Sequence, residues 1–358
     1  MFEGGSIRCP VQVLAHPSGV GSIWEGMGET PRLWVRLPNW LGDLVMLIPL
    51  LRLIRRSKPR AEFLFVGKAV FEPVLRRFGF EGEFMGLPER GWRYFFRFVL
   101  PRKRRPDACL IFTNSLRGDL EALMSGGALR LGLVRRGRGR PLLTHSGVLP
   151  EGLASRKVHQ VRGWEYLLRS WGVEGEVDWR PISGERSAGG GDAPIGLIAG
   201  SENFPAKRWP VERWRELIRA NPDRRFVLFG TATDRAITER VADGFDAGRV
   251  VNLAGRTGML DYMTELARCA QVVSNDTGGM HLANALGVPV VALFGPTNPL
   301  RTGPVFSGPV RVVQPEGCPP EGGGDLGEVR GCHFDAHAKC LLLFIFACCN
   351  SLYFYPKC

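Results

Sequence analysis

Short apolar runs alternate with longer amphipathic stretches through the first half of the chain. Between the runs, apolar residues recur three and four positions apart, as in LVMLIPLLRLIRR (44–56). The runs themselves are RLWVRL (32–37), AEFLFVGKA (61–69) and DACLIFTN (107–114). Apolar runs of this length predict buried strands, and the intervening spacing predicts helices. Strands that alternate with helices in this way are typical of a parallel, Rossmann-like sheet.

A second alternation of the same kind begins at IGLIAG (195–200). It continues through a helical stretch at 211–220, a strand at 224–230, a helix at 231–243 and a strand at 250–255. Two similar α/β halves predict a cleft between them, and clefts between domains are where ligands usually bind.

Domain boundaries follow from length and local composition. The chain has 358 residues, more than the roughly 250–300 at which a single core usually stops growing. The glycine- and serine-rich segment SGERSAGGGDAP carries no apolar pattern, which is typical of a linker. We predict a disordered extension at 1–30, Rossmann-like domains at 31–182 and 195–315, a linker at 183–194, and an atypical cysteine-rich tail at 316–358.

Residues 271–304 predict one βαβ unit. QVVSN reads as a buried strand, DTGG as a tight turn, MHLANALG as a helix and VPVVALFG as a second strand. Free backbone N–H groups at such a junction attract anions, and glycines let a ligand approach closely. Asp276, Thr277 and His281 can contact a hydroxyl or a phosphate there, so we interpret the loop as half of a sugar-nucleotide pocket. A simpler role for Asp276 is to cap the helix.

Asp43 ends the loop PNWLGD, between the first strand and the first helix. A carboxylate at the carboxyl end of a parallel sheet faces the crevice in which ligands bind. It can accept a proton from an attacking hydroxyl. The alternative is that Asp43 only caps the helix, which is common for this residue type.

Lys207 lies in GSENFPAKRWP, again between a strand and a helix. The loop brings Gly200, Ser201 and Asn203 near the helix start, so it suits a diphosphate whose charge Lys207 stabilises as it departs. Lys207 can equally be a surface lysine beside a proline turn. The loop lacks the G-x-x-x-x-G-K-[ST] spacing of an ATP-hydrolysing P-loop.

Other catalytic patterns are absent from the sequence. No G-x-G-x-x-G follows a strand, which argues against a nicotinamide enzyme. Neither a G-x-S-x-G elbow nor an H-E-x-x-H helix is present.

The chain carries a net charge of +12, with basic clusters at PRKRRP (101–106) and RRGRGR (135–140). Such clusters attract nucleic acid, an anionic membrane surface or an anionic glycolipid, although either can be an ordinary solvated surface. The sequence shows no zinc-finger spacing or aromatic RNA-binding motif, so we predict no nucleic-acid partner. No apolar run reaches the roughly 20 residues that span a bilayer, and the first 30 residues do not resemble a signal peptide.

Nine cysteines are unevenly placed, six of them after residue 317. Cys109 and Cys269 sit in apolar surroundings, as buried cytosolic thiols do, so we predict a cytoplasmic protein. The tail residues Cys332, His333, His337 and Cys340 include suitable zinc ligands. Their spacing fits no common structural zinc site, and we favour unligated residues.

Three segments in order resemble the lipopolysaccharide heptosyltransferases of glycosyltransferase family 9. They are PNWLGDLVMLIPLL near the start, PAKRWP at mid-chain and SNDTGGMHLANALGVPVVALFGPTNPLRTGP. The resemblance covers roughly residues 32–315 and is strongest to the heptosyltransferase II branch. It implies a GT-B fold of two facing Rossmann-like domains around a central cleft. It also implies transfer of L-glycero-D-manno-heptose from ADP-heptose to the inner core on lipid A, with inversion and without a metal ion or other cofactor.

The resemblance also implies roles for particular residues. Asp43 matches the proposed general base and Lys207 the lysine that contacts the donor phosphates. Ser201 lies where the family's loop also approaches those phosphates. Leu260 falls where an apolar residue packs near the adenine. The donor-binding loop corresponds to Asp276, Thr277, Gly278 and His281.

The implied acceptor is an anionic glycolipid, heptosyl-Kdo-lipid A, so we expect peripheral contact with the inner-membrane surface through the basic clusters. The chain departs from the family at Gly279, where leucine is common, and we expect a looser helix start there. Two alternatives stay open: a relative with another sugar nucleotide or acceptor, and a non-catalytic homologue that binds a nucleotide sugar or glycolipid.

Overall fold

The computed structural model describes most of the predicted α/β region. The described residues are Trp24, 27–91, 93–134, 139–182, 192–202 and 204–314. Most of the predicted extension and linker, Asn203, the cluster at 135–138 and the tail with its cysteines and histidines lie outside the described residues.

The first half forms a six-stranded sheet in which every neighbouring pair of strands is parallel. The strand order is β3-β2-β1-β4-β5-β6. The strands are β1 (Arg32–Arg36), β2 (Glu62–Gly67), β3 (Glu83–Gly86), β4 (Ala108–Ile111), β5 (Leu129–Val134) and β6 (His145–Val148). The helices are α1 (Leu41–Ser57), α2 (Glu72–Arg77), α3 (Leu116–Met124), α4 (Glu151–Ala154) and α5 (Gln160–Ser170).

The second half repeats this architecture, with the order β12-β11-β10-β7-β8-β9 and parallel pairing throughout. Its strands are β7 (Ile195–Ile198), β8 (Phe226–Leu228), β9 (Val250–Asn252), β10 (Gln271–Asn275), β11 (Val290–Leu293) and β12 (Val310–Val313). Its helices are α6 (Val211–Arg219), α7 (Arg235–Ala242), α8 (Met259–Ala267), α9 (Gly278–Ala285) and α10 (Pro299–Thr302). The predicted fold class, two Rossmann-like halves, is confirmed.

Apolar packing covers both faces of each sheet, as buried parallel sheets require. One cluster of buried side chains runs from the first half into the second, and the rings of Phe78 and Phe306 meet at 6.4 Å across that boundary. Residues 179–182 also join the halves, because the Ile182 N–H donates to Ala285 and the Trp179 carbonyl accepts from Ser307. The two halves therefore share core contacts beside their cleft.

Several predicted boundaries differ from the observed ones. Helix α1 begins at Leu41, so Asp43 lies inside the first turn and does not end the loop. Helix α9 begins at Gly278, so the predicted DTGG turn is two residues shorter. The short strands β3, β5, β6 and β12 were not predicted, because their partly exposed residues give no continuous apolar run.

The last residues of the predicted extension contact the first half. Trp24 is buried in the core and the ammonium of Lys58 lies 5.1 Å from the centre of its ring. Met27 packs against the same core. Among the described residues, no helix has both the length and the apolar character needed to cross a bilayer.

Candidate active site

The two sheets have equivalent strand orders, so the same kind of crevice forms at the carboxyl edge of each. In each sheet the strand order reverses next to the first strand, between β1 and β4 and between β7 and β10. Loops at the carboxyl ends of such strands form the usual ligand crevice of an open α/β sheet. Asp43 follows β1, Lys207 follows β7, and Asp276 follows β10, so all three predicted residues lie at this kind of edge.

Two helix starts, one from each half, meet at the cleft. An ideal Cβ added to Gly42 would lie 2.9 Å from Cδ2 of His281. One added to Gly278 would lie 2.8 Å from Cβ of Leu41. Only glycine permits this approach, because a real Cβ contact is not observed at such distances. The first turns of α1 and α9 are thereby held together, with the positive ends of both helix dipoles near the cleft.

Asp43 occupies the third residue of α1 and is half-buried. Its Oδ1 accepts a 2.9 Å hydrogen bond from Nε2 of Gln160, at the start of α5. Burial is the largest influence on the Asp43 carboxyl and raises its pKa above the usual value. The charge of Asp276 raises this pKa as well, whereas the hydrogen bond from Gln160 and the charge of Lys207 lower it. Asp43 therefore interacts electrostatically with two residues of the other half. Its alternative role as helix cap does not hold, since Trp40 is the N-cap residue.

Lys207 and Asp276 form an ion pair within the second half. Nζ of Lys207 donates to Oδ2 of Asp276 at 2.7 Å, and the Thr297 hydroxyl donates to the same oxygen at 2.7 Å. The Lys207 side chain is 23% exposed and that of Asp276 only 6%. The lysine is therefore accessible from the cleft while the carboxylate beneath it is not. Because Thr277 is the N-cap residue of α9, Asp276 does not have the capping role that was the simpler alternative.

Buried Asn275 holds the Lys207 loop onto β10. Its Oδ1 accepts from the Trp209 N–H at 3.1 Å, and its Nδ2 donates to the carbonyls of Ala199 at 2.8 Å and Gly200 at 3.3 Å. Sequence reasoning missed this residue. The available signal was an amide side chain in a fully buried strand, where such a group needs hydrogen-bond partners.

The first turn of α9 contains buried polar atoms without a partner among the described residues. They are Oγ1 of Thr277 and Nδ1 of His281. The Thr277 side chain makes no capping hydrogen bond, although Thr277 is the N-cap residue. Buried polar atoms are normally paired, so this turn is suited to a polar ligand.

His281 is neutral near physiological pH. Burial lowers its pKa to about 4, and the nearby His159 and Lys207 lower it as well, while Asp276 raises it. A neutral ring adds no charge to the cleft but offers a hydrogen bond through one nitrogen.

Asp234 is a further buried carboxylate that sequence reasoning missed. Its Oδ2 accepts hydrogen bonds from the backbone N–H of Thr231 at 2.9 Å and from the Thr231 hydroxyl at 2.8 Å. Its Oδ1 has no partner among the described residues. Gly200 and Gly230 leave room for it, because a Cβ on either would meet Asp234. The signal was the sequence FGTATD, in which a carboxylate follows a buried strand and a glycine.

The remaining predicted residues have different environments. Ser201 is buried and its carbonyl accepts a 2.8 Å hydrogen bond from Arg208. Leu260 lies in the first turn of α8 with 56% of its surface exposed. Gly279 is closely packed, and the expectation of a looser helix start there stays a prediction. The Tyr262 hydroxyl fills the position of an added Cβ, and Cδ1 of Ile198 would lie 2.8 Å from it.

The described basic residues are not all at the cleft. Arg102–Arg104 form an exposed turn whose Lys103 carbonyl accepts from Arg32, the first residue of β1. This turn therefore lies at the amino edge of the sheet, opposite Asp43. Arg140 pairs with Asp119, with Nε donating to Oδ2 at 3.0 Å.

Comparison with protein families gives a match to glycosyltransferase family 9 (heptosyltransferase) over residues 159–323. The chain is 30% identical over 308 residues to lipopolysaccharide heptosyltransferase 2 of Salmonella typhimurium strain LT2, covering 77% of this chain and 86% of the relative. It is 29% identical over 310 residues to lipopolysaccharide heptosyltransferase 2 of Escherichia coli K12, with the same coverage.

Solved structures of similar proteins have the same fold. E. coli ADP-heptose LPS heptosyltransferase II superposes with a TM-score of 0.71 at 28% identity, covering 89% of this chain and 98% of that one. A family 9 glycosyltransferase from Veillonella parvula gives a TM-score of 0.66 at 21% identity, covering 80% and 86%. The second likeness concerns the fold alone.

Proposed function

The chain belongs to glycosyltransferase family 9, the heptosyltransferases, and we propose that it transfers heptose from ADP-heptose to the lipopolysaccharide inner core, with inversion at the anomeric carbon. The observation that carries this proposal is the close packing of the first turns of α1 and α9, where Gly42 lies against His281 and Gly278 against Leu41. This packing places Asp43 in the same cleft as the Lys207–Asp276 ion pair. A base on one side of a sugar carbon and a cation on the other are what an inverting transfer requires.

The donor diphosphate binds at the start of α9. Backbone N–H groups of the first turn and the Lys207 ammonium supply positive potential, and the unpartnered Thr277 hydroxyl and His281 Nδ1 supply hydrogen bonds. When the diphosphate arrives, Lys207 is shared between the phosphate oxygens and Asp276. ADP-heptose is the donor that we infer, since a similar protein of solved structure is an ADP-heptose LPS heptosyltransferase.

The nucleoside lies against the carboxyl ends of β7 and β8. The unpartnered Oδ1 of Asp234 is available there to accept hydrogen bonds from hydroxyl groups. We assign Ser201 to the phosphate side of this pocket and Leu260 to its apolar rim, as the resemblance implied. Both assignments rest on the resemblance and on the position of each residue after a strand of the second sheet.

Asp43 is the general base. In the proposed step the acceptor hydroxyl gives its proton to the Asp43 carboxylate while its oxygen forms a bond to the anomeric carbon. The bond from that carbon to the diphosphate oxygen breaks, and ADP leaves with the electron pair. Lys207 and the α9 N-terminus stabilise the charge on the departing diphosphate. Gln160 orients the carboxylate through its 2.9 Å hydrogen bond.

The acceptor is an anionic glycolipid at a membrane surface. Two relatives that the chain resembles are lipopolysaccharide heptosyltransferases. We place the enzyme in the cytoplasm, peripherally associated with the inner membrane, because a nucleotide sugar must meet an acceptor that is embedded in lipid.

The decisive experiment is a donor screen with purified full-length protein and heptosyl-Kdo-lipid A as the acceptor, read by mass spectrometry. ADP-heptose should give a product larger by one heptose, and other nucleotide sugars should give little. The Asp43→Asn variant should lose transfer by roughly 10²–10⁴-fold yet bind ADP as the wild type does. Transfer from another donor would indicate a relative of different specificity. ADP-heptose binding without any transfer would indicate a binding protein that has lost turnover.

A further inference from the structure

Helix α3 presents an apolar face to solvent. Leu116 is 62% exposed and Leu123 39% exposed, with half-buried Leu120 between them on the same face. The buried face instead carries two acids, Asp119 and Glu121. A helix on the surface of a globular protein normally shows the reverse arrangement. The exposed leucines therefore call for a partner that is itself apolar.

A neighbouring 3₁₀ turn at Phe95–Phe98 extends this apolar surface. Phe96 is 63% exposed and Val99 is 50% exposed. The turn is fixed to α3, because the Tyr94 hydroxyl donates to Oε1 of Glu121 at 2.5 Å and the Arg117 guanidinium lies 5.6 Å from the Tyr94 ring centre. We call the combined surface the α3 face, consisting of Phe96, Val99, Leu116, Leu120 and Leu123.

The surroundings of the α3 face are basic. Residues 90–99 contain three arginines and no acidic residue. The two acids of α3 are buried in ion pairs, Glu121 with Arg36 and Asp119 with Arg140. Exposed arginines, among them Arg97 and Arg117, lie beside the apolar side chains. An apolar surface bordered by cations is complementary to a bilayer that contains anionic lipids.

The start of α3 lies at the same edge of the first sheet as Asp43. Strands β1 and β4 are parallel neighbours in which Arg36 pairs with Ile111. The chain leaves β1 toward Asp43 and leaves β4 toward Leu116, so both segments start from the same edge of the sheet. Arg36 links them further, since its guanidinium contacts Glu121 of α3 and donates to Oδ1 of Asn39 at 3.0 Å.

We propose that the α3 face inserts into the anionic lipid surface that carries the acceptor. The inference rests on the proposed function and adds to it the part of the enzyme that meets the lipid. Phe96 and the α3 leucines enter the boundary between headgroups and acyl chains, and the bordering arginines contact lipid phosphates. Asp43 then lies close to a headgroup sugar without extraction of the glycolipid from the bilayer.

The test is co-sedimentation of the full-length protein with vesicles of phosphatidylcholine, with and without phosphatidylglycerol. Wild type should bind the mixed vesicles, and salt should weaken this binding. A double variant, Phe96→Ser with Leu123→Gln, should lower the partition coefficient about tenfold or more, as expected from the loss of two large apolar side chains. The matched control is Val148→Ser with Val251→Ser, which removes two apolar side chains that are 53% and 37% exposed elsewhere.

Activity provides a second measurement. The Phe96 and Leu123 variant should transfer heptose normally to a deacylated, water-soluble acceptor and poorly to the acylated acceptor in vesicles. Equal partitioning of this variant and wild type would overturn the proposal. So would a self-association of wild type that the variant loses, because the face would then join copies of the chain. Vesicle binding needs no donor, so a failure of heptose transfer is distinguishable from a failure of this inference.

Discussion

Nζ of Lys207 lies 2.7 Å from Oδ2 of Asp276, and this ion pair connects the loop after β7 to the loop after β10. The same carboxylate oxygen accepts from the Thr297 hydroxyl at 2.7 Å. The lysine is thus positioned by a buried acid, and its partly exposed ammonium faces the proposed diphosphate position. Positioning of this kind limits the reorganisation that is needed when charge develops on the leaving group.

Replacing Lys207 with alanine should weaken ADP binding and lower kcat/KM by about 10²–10³-fold, because one stabilising charge at the leaving group is lost. Isothermal titration with ADP and initial rates with ADP-heptose measure the two effects. Lys103→Ala, which removes an exposed charge at the amino edge of the sheet, is the control and should leave ADP affinity unchanged. Unaltered affinity and rate in Lys207→Ala would remove this lysine from the site.

The pH dependence of kcat/KM should have an acid limb set by the raised pKa of Asp43, since only the carboxylate accepts a proton. Gln160→Leu removes a hydrogen bond that lowers this pKa, so the limb should move to higher pH. Asp276→Asn removes a charge that raises the pKa, so the limb should move to lower pH. A limb that stays in place in both variants would rule out Asp43 as its origin.

Asp43→Asn should raise the thermal midpoint of unfolding at neutral pH. Because folding raises the pKa of Asp43 above 3.8, the carboxyl favours folding most at acidic pH, and this contribution is lost as pH rises through the folded value. The neutral amide avoids that penalty. Scanning calorimetry at about pH 7 and about pH 4 should show the larger gain at the higher pH.

Asp178→Asn is the control with the opposite sign. The hydrogen bond from Arg180 lowers the pKa of Asp178 to about 2, so its carboxylate favours folding at neutral pH and loses this effect as pH falls. This variant should unfold at a lower temperature than wild type at neutral pH. A lower midpoint for Asp43→Asn as well would contradict the assignment of a burial penalty to Asp43.

Gly42→Ala should disturb the junction of the two halves. The added Cβ would lie 2.9 Å from Cδ2 of His281, and overpacking of this kind typically costs about 1–3 kcal/mol of unfolding free energy. Gly152→Ala is the matched control in helix α4, where nothing lies within 4 Å of an added Cβ. There alanine should be neutral or stabilise the protein by up to about 1 kcal/mol. Urea unfolding and transfer assays compare the two variants, and equal behaviour would show that the glycine contact is unimportant.

Local sequence was sufficient for most of the fold because each half uses long, regular signals. Buried runs such as those of β4 and β11 are fully apolar, and α1 repeats apolar residues at helical spacing. Strands β5 and β6 at one edge of the first sheet escaped prediction because they are half-exposed. Helix starts also shifted by two or three residues, since Gly42 and Gly278 have low helix propensity and are held in helical geometry by the contact between the halves.

The residues of the candidate site also divide into those that local sequence predicts and those that it does not. Residues that follow a strand in a glycine-containing loop, such as Asp43 and Asp276, were proposed from sequence because parallel strands bring such loops to one edge. Asn275 and Gln160 were not proposed from sequence, because their hydrogen-bond partners are far away in the chain. Asn275 bonds to Gly200, 75 residues away, and Gln160 bonds to Asp43, 117 residues away. Asp234 had the same local signal as Asp43, and only its unpartnered buried oxygen marks it out.

The sequence by itself determined that this protein has two parallel α/β halves, that it belongs among the heptosyltransferases, and which loops carry charged groups. These properties depend on periodicity and motif order, which are local. The tertiary structure alone decided that Lys207 pairs with Asp276, that Gln160 holds Asp43, and that the leucines of α3 face solvent beside arginines. Such relationships join residues far apart in the chain, and only packing of the two sheets fixes their distances, burial and pKa values.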